Sequence, residues 1–495
     1  MQVELNHMNV EVLPSKNSLL THLELRRVFV WAFLLSLFSV AVLQCSNIDW
    51  DFWWHLKAGQ YIIESRSIPH VDPFSFTRAG QQWIAHEWLS EVIMYSVFHA
   101  GGWIGLFLLF GTTITAALGV CYKRCEGKPF IAALAVFLVA AASSPLFGFR
   151  PQMFTLLFAS LFIALLDGYT YHGRRRVIWL LPLLMLFWVN LHAGFALGPA
   201  LILLFVAMAF LDREWKKIGP LLLIFAICVA VIPLNPNGFR MFSYPFETLS
   251  ASSMQNFIQE WLLPVFHQLR FLPLAALMIA TFSAMALSPT RPRPGELFAL
   301  SALTFAALRS GRHIPIFAIF AAPLFAKYFA QWINSQTNSP ITIRSATATG
   351  PKVVLALSLL FLPAFLIVKR VVHFHSNVAT YEAQKFPVAA VDFIERTGIA
   401  GPIFNDYDWG GYLIWKLYPQ RKVFIDGRAD LYGDDFIFGY LRMYGGERGW
   451  RDGLDRFGIQ TVLVQPNSAL TTLLREDKGW RTVFEDQEAV VFARN

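Results

Sequence analysis

The groups able to do chemistry are concentrated in one stretch, residues 47–91, "NIDWDFWWHLKAGQYIIESRSIPHVDPFSFTRAGQQWIAHEWLSE". Asp49 and Asp51 stand two apart, His55 follows Asp51 by four, and Glu87 and Glu91 close the stretch. A carboxylate in such a setting can take the proton from an attacking hydroxyl or amide. Six of the sixteen acidic residues found before position 373 lie here: Asp49, Asp51, Glu64, Asp72, Glu87 and Glu91. Asp49 and Asp51 follow one long apolar run and Glu87 precedes the next, which sets all three at one membrane level. A carboxylate at lipid depth is costly and faces a cavity or a partner. The rings of Trp50, Phe52, Trp53 and Trp54 suit the membrane–water interface. A helix starting near position 51 puts Asp51 and His55 on one face. A simpler reading makes Asp49 or Asp51 a helix N-cap. Capping needs one carboxylate and does not account for three at the same level.

The elements that must hold these residues are membrane helices. Of 495 residues, 55% are apolar and 15% charged, with a mean hydropathy of +0.47. Soluble proteins carry about 25% charge. A disordered chain, a disulfide scaffold and an ordinary cytosolic enzyme are excluded. Apolar runs of about 20 residues need lipid as solvent. About eleven spans are expected, near 27–46, 90–120, 131–147, 152–167, 177–191, 194–211, 218–234, 271–288, 296–309, 313–331 and 352–370. Residues 1–372 hold 27 basic against 16 acidic side chains, and residues 373–495 hold 14 against 17. The positive charge therefore belongs to short loops, where it sets orientation, and gives no sign of nucleic-acid binding. Lys123, Arg124 and Lys128, the run 174–176, Arg213 with Lys216 and Lys217, and Arg291 with Arg293 fall on one side if the N-terminus is cytoplasmic. This gives a cytoplasmic segment 1–26, a membrane domain 27–372 with outer loops 47–89 and 235–270, and an extracytoplasmic domain 373–495. The expected location is an inner or plasma membrane of bacterial type.

Cys45, Cys121, Cys125 and Cys228 lie in or beside spans, with no spacing of a zinc site or disulfide framework. The tail reads as α/β. "PVAAVDFIERTG" (387–398) is an amphipathic helix with a glycine stop, and "PIFN", "KVFID", "TVLVQ", "RTVFE" and "AVVFA" are short strand-type runs. Helical segments 409–417, 433–444 and 447–457 separate them, so a small sheet covered by helices is expected. No glycine-rich phosphate loop of the nucleotide-binding kind is present.

The order of features resembles the GT-C superfamily of lipid-linked-sugar transferases, which includes oligosaccharyltransferases, protein O-mannosyltransferases and aminoarabinose transferases. Members carry an acidic motif after the first span, a long outer loop, many spans and an outer C-terminal domain. Asp49-Trp50-Asp51 stands at the address of that motif, and "GQYIIESRSIPHVDPFSFTRAGQQW" is similar to the segment after it. Glu87 falls near the second acidic position. The sequence departs at "HEWL", where mannosyl-type members have a Lys-Pro-rich run, and this leaves the acceptor class open. The resemblance implies an α-helical GT-C-like membrane enzyme moving a sugar from a polyprenyl-phosphate donor to a glycan, lipid or protein acceptor, with inversion. It implies Asp51 as base, with Asp49 and Glu87 in support. A divalent ion such as Mg2+ or Mn2+ on Asp49 and Asp51 would suit their oxygen ligands. The leaving phosphate needs positive charge.

Arg309 and Arg312 in "LRSGRHIP" are candidates for that phosphate, or for snorkelling to the interface. Arg150, Arg240 and Arg270 share the outer side, with snorkelling the simpler role. His55 and His192 are candidate substrate contacts, although a histidine such as His192 or His313 at a span end also packs well in a structural role. Loop 235–270 supplies Glu260, either as part of a closing lid or as a solvated surface group. In the tail, Asp408, Trp409, Gly410, Gly411 and Tyr412 loosely resemble the aromatic–acidic–glycine turn of oligosaccharyltransferases; a purely structural turn explains them equally. Asp426, Arg428 and Asp430 suit either an ion-pair network or acceptor contact. Two other functions fit the topology: a flippase for lipid-linked material, and a non-catalytic scaffold. A flippase should show charge within spans and internal repeats, and neither stands out.

Overall fold

The computed structural model describes residues 16–126, 129–258, 260–336, 349–399 and 401–495. Positions 1–15 of the expected N-terminal segment lie outside the described residues, as does Lys128. Helices occupy every stretch expected to span: Lys16–Cys45, Trp88–Arg124, Pro129–Ser143, Gln152–Thr170, Leu181–Leu191, Leu197–Leu211, Trp215–Val231, Leu272–Leu287, Pro294–Arg309, Ile314–Gln336 and Thr349–Ala383. Among the described residues, seven helices are long and apolar enough to cross a membrane, and Phe29–Cys45 and Val177–Leu191 are shorter apolar helices. The fold is that of a polytopic helical membrane protein, while the figure of eleven crossings rests on the sequence pattern alone. Ile104, Phe137, Leu183, Phe305 and Phe361 are exposed along these helices, as lipid-facing side chains would be.

The bundle is tied at one end by polar pairs. Arg124, expected in a loop, instead ends a helix and donates to Asp167 at 2.7 Å and to the Ile319 carbonyl at 2.8 Å. Glu296 accepts from Lys327 at 2.8 Å and from the Tyr328 hydroxyl at 2.5 Å. The other end carries the long 46–87 connection. Its first part is the helix Phe52–Ser65, which packs along Trp88–Arg124, and its second part is an extended loop around Asp72.

The C-terminal part is α/β. The helix Thr349–Ala383 runs past position 373, so the folded tail starts with the helix Val388–Thr397, closed by left-handed Gly398 as its sequence predicts. Four strands follow: β1 (Ile403–Asn405), β2 (Thr461–Val464), β3 (Trp480–Glu485) and β4 (Val490–Arg494). The sheet order is β1-β2-β4-β3, with β1 parallel to β2 and the other pairings antiparallel. Helices Gly410–Leu417, Ala429–Tyr444, Trp450–Arg456 and Ala469–Glu476 complete the domain.

One strand-type run is not in the sheet. "KVFID" pairs instead with the 46–87 connection: Val423 donates to the Phe74 carbonyl and accepts from Phe76, both at 3.1 Å. Its β propensity is met by a segment some 350 positions earlier in the chain. The turn that follows adds a buried ion pair. Arg428 donates to Asp72 at 2.7 Å and to both oxygens of Asp426 at 2.7 Å. Tail and connection thus form one layer over the end of the bundle.

Candidate active site

Asp49 and Asp51 lie in the short link between Lys16–Cys45 and Phe52–Ser65. Asp51 occupies the N-cap position of the second helix, yet its side chain makes no capping hydrogen bond. It accepts from the Trp54 indole at 3.1 Å, while the Asp49 carboxylate accepts from the Asp51 backbone at 3.0 Å. Both carboxylates face Arg150, at 3.4 Å from Asp49 and 3.5 Å from Asp51. Arg150 also contacts Glu260, which in turn pairs with Arg312 at 3.2 Å. Charges therefore alternate along a chain from the first connection through Arg150 and Glu260 to Arg312.

Asp49, Asp51, Arg150 and Glu260 line a cavity of about 740 Å3 between the bundle end and the tail. Leu146, Phe271 and Ile314 give it an apolar side, and Tyr407, Asp408 and Tyr440 of the tail a polar one. Two further cations, Arg270 and Lys385, also line it. Lys385 sits 4.1 Å from the Trp50 ring and donates to the Ile48 carbonyl at 2.5 Å. Removal from water and the nearby Asp49 push the Asp51 carboxyl up to about 6, against the pull of Arg150. Burial, then Asp406 and Asp51, raise Asp408 to about 7. The tail reaches Asp51 directly. A Cβ on Gly427 would stand 1.7 Å from Asp51 Oδ1, so the turn beside Asp426 approaches this closely only as glycine.

Glu87 is elsewhere. It is buried, and it is not among the cavity-lining residues. Its Oε1 faces His86 Nε2 at 3.0 Å and His192 Nε2 at 3.4 Å, and its Oε2 faces His55 Nδ1 at 3.6 Å. Glu87 is held well below the usual carboxyl range by His86 and His192, which overcome the opposing effect of burial. Burial would lower His86, but Glu87 raises it to about 9; His192 is pushed down to about 3 by burial. The His55 ring lies 3.7 Å from the Trp54 ring, whose indole N–H donates to Asp51.

The remaining expected residues divide. Glu260 lines the cavity, and Arg312 reaches it through Glu260 while its guanidinium lies 4.6 Å from the Trp261 ring. Arg309 is exposed and does not line the cavity. His192 serves Glu87, not the cavity. Asp408 lines the wall, whereas Trp409 is buried and donates to the Lys385 carbonyl at 3.2 Å, a packing role. Arg240 contacts Gln82. Sequence reading missed Lys385, and it gave Arg150 a lesser place than Arg309. A usable signal for Arg150 exists: it sits between two apolar runs with no acidic residue in its own loop. Lys385 has no such signal.

The expected ion on Asp49 and Asp51 meets a competitor. The Arg150 guanidinium already stands between those two carboxylates, where a divalent cation would have to lie. The two carboxylates thus already share one cation, the Arg150 guanidinium.

No protein-family model matches the chain, and no curated protein matches it. Solved structures do. ArnT from Cupriavidus metallidurans bound to undecaprenyl phosphate matches with a TM-score of 0.52 and 14% identity, over 94% of this chain and 98% of that one. The archaeal oligosaccharyltransferase AglB from Archaeoglobus fulgidus, in complex with an inhibitory peptide and a dolichol-phosphate, matches at 0.56 and 10% identity, over 97% and 75%. The chain has the GT-C fold. A third structure, the arabinofuranosyltransferase AftD from Mycobacteria, agrees at 0.50 and 12% identity, covering 95% of this chain and 40% of the larger one. In this GT-C bundle the Asp49–Asp51 pair falls at the bundle end covered by the C-terminal domain, on the wall of the large cavity.

Proposed function

We propose that this protein is an integral membrane glycosyltransferase that takes a sugar from a polyprenyl-phosphate-linked donor on the extracytoplasmic face. The observation that carries the reading is the cavity itself. It puts an ionisable carboxylate, Asp51, beside Arg150, in a cavity that Arg270 and Lys385 also line, with an apolar flank formed by helix ends. Neighbours of this fold hold undecaprenyl phosphate or dolichol-phosphate, ligands with one anionic head and a long apolar tail. The tail would run along Leu146, Phe271 and Ile314, and the phosphate would lie among the three cations. Asp51 would take the proton from an acceptor hydroxyl or amide as its oxygen or nitrogen attacks the anomeric carbon. The phosphate then leaves with the bonding electrons, its charge met by the guanidinium. Asp49 holds the Asp51 backbone and shares Arg150, which keeps the base aimed at the cavity. Glu87 acts through His55 and the Trp54 ring.

Comparison of lipid and glycan masses in cells with and without the gene tests this reading. A glycan or lipid species lost on deletion, restored by the wild-type gene and not by Asp51→Asn, is the expected result. Full restoration by Asp51→Asn removes the base assignment. Unchanged masses on deletion, together with substrate-dependent transport into vesicles, favour a flippase.

A further inference from the structure

We propose that His55, Glu87 and Glu91 form a buried site for a divalent transition-metal ion of the Zn2+ type, which pins the Phe52–Ser65 helix to the Trp88–Arg124 helix. The three residues are all buried, and one donor atom from each lies within 4.8 Å of the others. His55 Nδ1 stands 3.3 Å from Glu91 Oε1 and 3.6 Å from Glu87 Oε2. Ligands bonded at about 2.1 Å around a tetrahedral zinc are about 3.4 Å apart, so these separations suit a shared ion.

The group is hard to satisfy without one. A neutral imidazole has at most one proton on Nδ1, and here that atom faces two carboxylates. Glu91 is only 1% exposed, and its Oε2 has no hydrogen-bond partner among the described residues. An orphaned carboxylate oxygen at that depth is expensive. A divalent ion would bind the Nδ1 lone pair of the neutral ring, whose one proton would then sit on Nε2, and draw on all three side chains. One imidazole nitrogen and two carboxylates are a donor set that suits Zn2+ or Mn2+ better than Mg2+.

The surroundings supply the outer support such a site needs. Gly194 donates its backbone N–H to His192 Nδ1 at 2.8 Å, which leaves the His192 proton on Nε2, aimed at Glu87 Oε1 at 3.4 Å. His86 approaches the same oxygen at 3.0 Å. Glu87 Oε1 is thereby engaged, and Oε2 stays turned to His55. Glu87 and Glu91 are one helical turn apart, with a backbone bond of 3.1 Å between them, so one helix face presents both. The partner helix comes near enough because of Gly59, where a Cβ would stand 2.1 Å from the Glu91 carbonyl oxygen.

None of the three proposed ligands lines the reaction cavity, and the test does not depend on transfer activity. Tag-free full-length protein in detergent is stripped with EDTA, reloaded with Zn2+, dialysed and analysed for metal. Wild type and Asp51→Asn should each retain about one Zn2+ per chain, whereas Glu91→Gln and His55→Gln retain at most a tenth of that. Zn2+ should raise the Tm of wild type and leave that of folded Glu91→Gln unmoved. Co2+ loading of wild type alone gives a check that needs no variant, since a four-coordinate site shows strong visible absorption bands. Less than a tenth of an equivalent in wild type, wild-type content in folded Glu91→Gln, or Co2+ spectra of the hydrated ion only would each overturn the proposal. An inactive Asp51→Asn that still binds Zn2+ supports both readings independently.

Discussion

Two places in this protein set two aspartates around one arginine, and they behave as opposites. In the cavity, Arg150 meets Asp49 and Asp51 at 3.4 and 3.5 Å, and the side chains are 17%, 23% and 28% exposed. At the tail seam, Arg428 meets Asp72 and Asp426 at 2.7 Å, and no partner is more than 1% exposed. The seam is also saturated. Asp72 accepts from Ser75 at 2.5 Å and from the backbone of Phe74 and Ser75 at 3.0 Å, and Tyr432 donates to Asp426 at 2.7 Å. The Arg428 guanidinium further lies 4.6 Å from the Trp83 ring. The cavity set has long contacts and shares its arginine with Glu260. Composition alone would not separate the two. Short, complete bonding out of water makes a fastener, and loose, accessible bonding leaves a carboxylate free to exchange a proton.

The comparison can be broken first at Asp51. Asp51→Asn should lower the transfer rate by about 10²- to 10⁴-fold, the span for loss of a general base, while Tm stays near wild type. Arg428→Met should do the reverse. It leaves Asp72 and Asp426 buried without their cation, at a cost of about 3–5 kcal/mol, read as a fall in Tm and early proteolysis at the seam. Gly427→Ala probes both at once, since the new methyl group collides with Asp51 Oδ1. We expect a loss of about 1–3 kcal/mol and a drop in turnover larger than that in donor binding.

Acidity sharpens the contrast. With Asp51 titrating near 6, turnover should rise through pH 6, falling about tenfold from its plateau one unit below. The seam responds lower. Arg428 and the Ser75 and Phe74 hydrogen bonds hold Asp72 below the normal aspartate value despite its burial. Its stabilisation is present above its unfolded value of about 4 and is lost as pH falls through the folded one. Activity measured against pH should therefore fail well before the Tm does. The smallest effect belongs to Trp54→Phe, which deletes a hydrogen bond to the Asp51 carboxylate and should shift the midpoint upward by a few tenths of a unit.

Much of this was readable in the residues. The apolar runs placed the helices, and the cluster 47–91 named the connection that brings Asp49 and Asp51 to the cavity wall, because hydropathy and local spacing are properties of neighbouring residues. Asp51 was placed in the cavity wall, and the alternation in the tail anticipated β1 to β4. The failures share a cause. "KVFID" has strand composition, but its partner is residues 74–76, not a tail strand. Glu87 was expected at the level of Asp51, but its carboxylate faces His86 and His192 and does not line the cavity. Arg309 and Arg312 look alike in sequence, and only Arg312 meets Glu260.

What the sequence determined by itself is the solvent each segment prefers, the helical faces, and the stretch in which acidic side chains concentrate. These follow from hydropathy, periodicity and propensity, which act within a few residues. Only the tertiary structure decided which cation meets which carboxylate: Arg150 with Asp51, Lys385 beside Trp50, Arg428 with Asp72. Those pairings join positions about a hundred to more than three hundred apart, where chain spacing carries no information about distance and only the packing of the bundle under the tail does.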